Sequence, residues 1–273
     1  KDTEFGREHG FARIKTLRAF QERVPICTYE DLKPYIDAEL GGKGQQLTAE
    51  TPVLFAMTSG TTGDSKFIPV TPESRKAKAH LMKIWLSGLY NDHPDIFSER
   101  ILSIVSPEVE SYAPDGTPCG SESGHAYRNV PAPIRAMYCC PYEVFEIEDY
   151  ESRYYTILRI AAAQSLSLLV TVNPSTLLVL CERLEKHTRT IIHDVRHGGL
   201  SSRFKVSQAI RDKIAACLRP NPKRANELAR IAARCHHNSC HGHDWQALRD
   251  LYEPGWRDRQ APRGRPQQDF VDP

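Results

Sequence analysis

Short apolar runs alternate along this chain with longer segments in which apolar residues recur at helical spacing. The short runs predict strands and lie at 53–57, 67–70, 101–105 and 166–172, with a fifth, alternating run at 142–147. The longer segments begin with residues that favour helix starts and predict helices at 28–40, 71–89, 149–161, 173–197, 207–218 and 223–234. Strands that alternate with helices indicate an α/β fold with a largely parallel sheet.

Two of these helices carry clear signals. The one that follows Thr71 has Pro72 at its first position and a set of apolar residues that predicts a buried face: Ala79, Leu81, Met82, Ile84, Trp85, Leu86 and Leu89. The one near 173 has Asn173 at the cap and Pro174 at the first helical position, and two glycines end it after residue 197. Residues 106–133, which follow the strand predicted at 101–105, predict a long loop. A loop of that length is usually functional or mobile.

The segment between the first two strands has the most informative chemistry. It reads Thr58-Ser59-Gly60-Thr61-Thr62-Gly63-Asp64-Ser65-Lys66 and combines five hydroxyls, two glycines and one lysine. Backbone N–H groups freed by glycine, hydroxyl donors and a cation together favour phosphate oxygens. The order strand, loop, strand predicts that the segment is the tip of a hairpin. It is not a Walker A loop, because Phe67 stands where Ser or Thr should follow the lysine.

Composition narrows the classes of function. The 273 residues include 36 basic and 34 acidic ones, so a net charge of +2 gives no electrostatic reason to expect nucleic acid or an anionic membrane as partner. No run approaches the roughly 18–20 apolar residues of a membrane helix. The first ten residues lack the apolar core of a signal peptide. Eight cysteines without a secretion signal favour a reducing cytoplasm. The oligomeric state is not predicted.

The loop resembles the nucleotide-phosphate loop of adenylate-forming enzymes, (S/T)-S-G-T-(T/S)-G-x-x-K. Its extension, Phe67-Ile68-Pro69-Val70-Thr71, makes it similar to the GH3 family of acyl-acid amido synthetases. Segments at 3–6, 24–35 and 169–177 are similar too, in the same order and spacing. The resemblance implies the N-terminal part of the large domain of an adenylate-forming enzyme, with a mixed sheet flanked by helices.

The resemblance also implies an activity and a site. The family converts a carboxylic acid and ATP to an acyl-adenylate, with Mg²⁺ and release of pyrophosphate, and an amino acid amine then attacks the activated carbonyl. A carboxylic acid and an amino acid are therefore the expected small-molecule partners. The residues expected to cradle the phosphates are Thr58, Ser59, Gly60, Thr61, Thr62, Gly63 and Lys66, with Lys66 in the catalytic role and no residue assigned to the metal.

Two family elements are not found in this sequence. One is Tyr-x-x-(Ser/Thr)-Glu, which helps hold nucleotide and metal, and the other is a Tyr-Arg-Val-Gly-Asp-like string, to which Tyr127-Arg128-Asn129-Val130 does not fit. The alternative function is therefore an inactive nucleotide-binding or interaction fragment. We expect a partial adenylate-forming domain at 1–234. An irregular or disordered tail is expected at 235–273, where the loss of apolar period suggests a truncated or frame-shifted end.

Other residues give weaker signals. Cys235 to His243 include six possible metal ligands at no standard zinc spacing, so adventitious affinity is favoured over a functional site. His125, close to Glu122 and Ser123, is expected in a polar loop rather than in acid–base chemistry. Five further residues are expected to have structural roles only. Arg153 and Arg159 are expected to be solvated charges, and Leu177, Leu180 and Leu184 are expected to pack in the core.

Overall fold

The computed structural model describes residues 1–58 and 65–237, with side chains as far as residue 233. The helices are α1 (Glu4–Glu8), α2 (Leu17–Arg23), α3 (Tyr29–Leu40), α4 (Pro72–Asp92), α5 (Glu122–Arg128), α6 (Ala132–Arg135), α7 (Tyr150–Ala162), α8 (Ser175–His197), α9 (Gln208–Ile214) and α10 (Pro222–His237). The strands are β1 (Leu54–Thr58), β2 (Lys66–Val70), β3 (Arg100–Ile104), β4 (Ser111–Tyr112), β5 (Pro118–Gly120) and β6 (Leu166–Thr171).

The strands form two small sheets. In the first, the order is β2-β1-β5-β4, with β1 antiparallel to β2 and parallel to β5, and β4 antiparallel to β5. In the second, β3 and β6 are parallel. Two of these four strand pairings are parallel, so the mixed sheet with flanking helices is confirmed. The largely parallel sheet predicted from alternation alone is wrong, because the β1–β2 hairpin is antiparallel.

Two sequence predictions fail between β3 and α7. The strand expected at 142–147 is a 3₁₀ helix, Tyr142–Glu146. Val144 and Phe145, which are consecutive residues of this helix, are both fully buried, whereas in a strand their side chains would point to opposite faces. The long loop expected at 106–133 contains β4, β5, α5 and the first two residues of α6. These strands have two and three residues, too few for a period to be read from sequence.

The main core lies around α7 and α8. From Tyr154 to Ala162 every residue of α7 is buried, and the predicted core positions Leu180 and Leu184 of α8 pack against it, with Leu177 at the margin. Helix α8 begins at Ser175, one residue later than predicted, because the Asn173 side chain accepts a hydrogen bond from the Ser175 backbone N–H at 3.0 Å. Asn173 thus makes a turn ahead of the helix.

Arg159 contradicts its expected role as a solvated charge. It is 0% exposed, and its Nη2 donates to the backbone oxygen of Asp194 at 2.8 Å. Asp194 in turn accepts from the Tyr155 hydroxyl and the Ser201 N–H, both at 2.7 Å. Burial lowers the pKa of Arg159, and its Nη1 has no hydrogen-bond partner among the described residues. The cluster connects α7 to the end of α8. Arg153 is half-buried.

The double glycine after α8 has a steric reason. Gly198 and Gly199 have φ of 81° and 82°, a region that favours glycine, and they end the helix as predicted. A Cβ on Gly198 would lie 2.9 Å from ring atoms of Pro220. The chain therefore turns tightly here and returns towards α9 and α10.

Helix α4 differs most from its prediction. None of its 21 residues is buried, and the apolar residues Leu81 and Trp85 are 64% and 50% exposed. Helical spacing correctly indicated that these residues share a face, but periodicity does not show what covers that face. In the part of the chain that the structure describes, no helix is long and apolar enough to cross a membrane.

A matched pair of leucine substitutions tests this difference in burial. Leu102→Ala in β3, where the side chain is 0% exposed, should lower the free energy of unfolding by about 2–5 kcal/mol through lost contacts and a cavity. Leu81→Ala should change it by less than about 0.5 kcal/mol. Urea unfolding followed by circular dichroism measures both. Equal losses would show that the α4 face is covered in solution.

Glu151 on α7 is the centre of a charged cluster with α8. Its carboxylate accepts from Lys186 Nζ at 2.7 Å and His187 Nε2 at 2.8 Å, and it pairs with Arg183. Arg203 donates to His187 Nδ1, and because a guanidinium has no acceptor, His187 must carry its ring proton on Nε2. The hydrogen bonds from Lys186 and His187 lower the pKa of Glu151 to about 2.

The lowered pKa of Glu151 predicts a pH-dependent contribution to stability. The carboxylate stabilises the fold fully above its ordinary pKa of 4.5 and loses this contribution as pH falls towards 2. Glu151→Gln should cost about 1 kcal/mol at neutral pH, since the side chain is partly exposed and screened. The difference from wild type should shrink as the pH of urea titrations falls from about 5. Glu73→Gln, an exposed pair with Lys76, is the control and should show little change at any pH.

Candidate functional site

The β1–β2 hairpin places the two ends of the predicted phosphate loop opposite each other. The register pairs Leu54 with Val70 and, four residues on, Thr58 with Lys66. Of the residues expected to form the cradle, the structure therefore brings Thr58 and Lys66 together at the mouth of the hairpin. The other five lie outside the described residues: Ser59, Gly60, Thr61, Thr62 and Gly63.

Burial fixes the register of this hairpin. Leu54 and Phe55 are 0% and 1% exposed although they point to opposite faces of the sheet. A slip of one residue would exchange these faces and misplace every side chain of β1. The connector before β1 is held by the buried Glu39 of α3, whose carboxylate accepts from the backbone N–H of Leu47 and of Thr48 at 3.1 and 3.3 Å. The connector that leads into β1 is thus anchored to α3.

Strand β5 brings a second segment to the same edge. It runs parallel to β1, with Phe55 beside Cys119 and Ala56 beside Gly120, so the residues that follow both strands leave the sheet at one edge. Ser121 caps α5 there through its side chain, which accepts from the Gly124 N–H. The crevice outside the carboxyl ends of parallel strands is where open α/β sheets bind ligands.

Close backbone packing at this edge requires glycine. A Cβ on Gly120 would lie 2.1 Å from the Glu108 backbone oxygen, and a Cβ on Gly124 would lie 2.3 Å from that of Ser106. The segment from Ser106 to Glu108 therefore lies directly against β5 and the start of α5. Sequence reasoning did not identify these two positions. The available signal was that Gly120 directly precedes a serine and Gly124 directly follows one.

His125 belongs to a charged cluster beside this edge. Its Nδ1 lies 2.5 Å from Glu108 Oε1, and Arg128 Nη1 donates to the other carboxylate oxygen at 2.9 Å. The Tyr142 hydroxyl accepts from the Glu108 N–H at 2.6 Å. Among the described residues, His125 Nε2 has no hydrogen-bond partner. The expected neighbour Glu122 instead pairs with Lys78 of α4 at 2.6 Å.

Tyr29 contacts the loop end from the other side. Its hydroxyl accepts a hydrogen bond from the Phe67 backbone N–H at 3.0 Å, and the ammonium of Lys66 lies 4.9 Å from the centre of its ring. Sequence reasoning placed Tyr29 at the start of the helix predicted at 28–40 and within a flanking match, but a first helical residue gives no periodic signal of such a contact. No described group of three or more His, Cys, Asp or Glu side chains could hold a metal ion.

Comparison with known proteins identifies the family. Residues 1–252 match the model of the GH3 family N-terminal domain. This chain belongs to the GH3 family. The tail boundary expected at 235 is not tested by this match. The Cys235–His243 cluster lies outside the described side chains.

Similar proteins are longer than this chain. An indole-3-acetic acid-amido synthetase GH3.6 of Arabidopsis thaliana is 24% identical over 257 residues, which cover 90% of this GH3 chain and 40% of the relative. A jasmonoyl–L-amino acid synthetase GH3.3 of Oryza sativa subsp. japonica is 26% identical over 240 residues, or 84% of this chain and 52% of the relative. The chain thus spans about half or less of these two relatives.

Solved structures agree with the fold. A GH3.15 acyl acid amido synthetase superposes with a TM-score of 0.73 at 20% identity, covering 92% of this chain and 43% of that one. An AtGH3.15 acyl acid amido synthetase in complex with 2,4-DB gives a TM-score of 0.72 over the same share of this chain. At this level of identity the likeness concerns the fold, which is the mixed α/β arrangement described above.

Proposed function

We propose that this GH3 chain is the nucleotide-phosphate-binding part of an ATP-dependent ligase that joins a carboxylic acid to an amino acid through an acyl-adenylate. The observation that carries the proposal is the pairing of Thr58 with Lys66 across the mouth of a hairpin whose tip contains only hydroxyl, glycine and one acidic residue. The names of the relatives, which are amido synthetases of carboxylic acids, support the same class of reaction.

The donor set fits the charge problem of the reaction. Attack of a carboxylate on the α-phosphorus of ATP joins two anions and releases pyrophosphate, so the oxygens need preorganised donors and a cation. Thr58 supplies a hydroxyl and Lys66 an ammonium from opposite strands, and the loop between them supplies further hydroxyls and N–H groups. We propose Mg²⁺ as the accompanying ion, with no described residue assigned to it.

We place this protein in the cytoplasm. The buried cysteines Cys119, Cys139 and Cys140 are free thiols, and burial raises the pKa of Cys119. Half-buried Cys181 and Cys217 are free thiols too. Thiols that are not paired in disulfides at several places in one fold support a reducing compartment.

Lys66→Ala tests the central role of the ammonium. In the longest product that the gene encodes, this change should lower acid-dependent ATP–pyrophosphate exchange by on the order of 10²-fold or more, as expected for a lost transition-state contact. Exchange is measured over a panel of carboxylic acids. Lys76→Ala removes an exposed lysine of α4 and should leave the rate within about threefold.

The outcomes separate the two functions considered. Exchange retained within about threefold in Lys66→Ala would remove Lys66 from the mechanism. ATP binding without exchange with any acid would favour the alternative, a nucleotide-binding or interaction protein without catalysis. Titration calorimetry with ATP and Mg²⁺ measures that binding directly. The panel also identifies the acid, which the sequence does not.

A further inference from the structure

We propose that Tyr29 is a positioning residue, which fixes the direction of the Lys66 ammonium at the exit of the phosphate loop. This inference rests on the proposed function, in which Lys66 contacts nucleotide phosphates. It assigns a role to a side chain that precedes the loop by about thirty residues and belongs to a different element, α3.

One side chain makes two contacts to consecutive residues of β2. The hydroxyl of Tyr29 accepts from the Phe67 N–H at 3.0 Å, and its ring lies 4.9 Å from Lys66 Nζ. Among the described residues, strand β2 is at the end of its sheet, so its outward N–H groups face no further described strand. The Tyr29 hydroxyl pairs one of them, and Pro69, two residues on, has none to pair.

Tyr29 is itself held in place. It is the first residue of α3, next to a capping box in which Thr28 N and Oγ1 donate to Asp31 Oδ2 at 2.8 and 2.7 Å. These hydrogen bonds from Thr28 also lower the pKa of Asp31. A capped helix start and a side chain with two rotatable bonds leave the ring little freedom. The ring therefore restricts the long, flexible side chain of Lys66.

An aromatic partner suits an ammonium that must bind an anion. A carboxylate beside Lys66 would neutralise the charge and compete with phosphate for the same protons. A ring face attracts the cation through its quadrupole but carries no net charge, so the positive charge stays available. The contact orients Lys66 at little cost to its attraction for phosphate oxygens.

The contact can be measured on this chain without enzyme activity. Lysines converted to ¹³C-dimethyl-lysine keep their charge, and the Lys66 signal is the one absent in Lys66→Arg. It should appear upfield of exposed lysines because of the ring current, stay there in Tyr29→Phe and move downfield in Tyr29→Leu. An unshifted Lys66 signal in the wild-type chain would overturn the inference even if Tyr29→Leu does not fold.

A double-mutant cycle in the longest gene product tests the positioning role. Tyr29→Leu should lower kcat/KM for ATP by about 5–10-fold in the exchange reaction, and Tyr29→Phe should stay within about threefold of wild type because it keeps the ring. In the Lys66→Ala background, Tyr29→Leu should cost less than about twofold, since the residue that it positions is gone.

Each outcome of the double-mutant cycle leads to a different conclusion. Equal losses from Tyr29→Leu in both backgrounds would mean that Tyr29 acts on the fold and not through Lys66, which overturns the inference. Full activity of Tyr29→Leu beside an inactive Lys66→Ala would also overturn it while leaving the proposed function intact. Full activity of Lys66→Ala would remove Lys66 from the mechanism and overturn this inference with it, whereas absence of exchange in the wild-type protein with every acid would overturn the proposed function itself.

Discussion

The site depends on the burial of β1 between two strands of opposite direction. Leu54 and Phe55 are buried on opposite faces, so a slip of β1 by one residue against β2 and β5 would move each side chain into the environment of the other. Once Leu54 pairs with Val70, Thr58 must face Lys66. The loop ends are therefore placed by hydrophobic burial that occurs four residues earlier. The polar loop itself need not specify where its ends lie.

The second constraint is steric and acts through β5. Because β5 is parallel to β1, the start of α5 emerges beside the loop, and the two glycines allow the 106–108 segment to approach within contact of its backbone. That approach fixes Glu108 beside His125 and Arg128. The charged cluster thus lies beside the edge of the sheet at which β1 and β5 end. The short strands are small, but they determine what surrounds the site.

Features that depend on neighbouring residues in the chain could be predicted from the sequence, whereas what packs against each element could not. Thr71 and Ser74 cap α4 reciprocally, and Gly198 ends α8, because both effects need only neighbouring residues. The α8 core positions followed from helical period. The exposure of Leu81 and the burial of Arg159 did not, since each depends on what packs against the residue. Arg159 is tolerated inside because backbone oxygens from the end of α8 and the segment after it meet its guanidinium.

The residues of the candidate site show the same difference between local sequence signals and packing. The donors of the loop stand together in sequence, so a motif identifies them and the chemistry they favour. Tyr29 lies 38 residues before Phe67, and no spacing rule relates the two. Its hydroxyl and ring nevertheless reach the two residues at the loop exit. Motifs report the groups that contact a ligand because those groups share one turn of chain. Residues that orient them are supplied by other elements, and only packing brings them together.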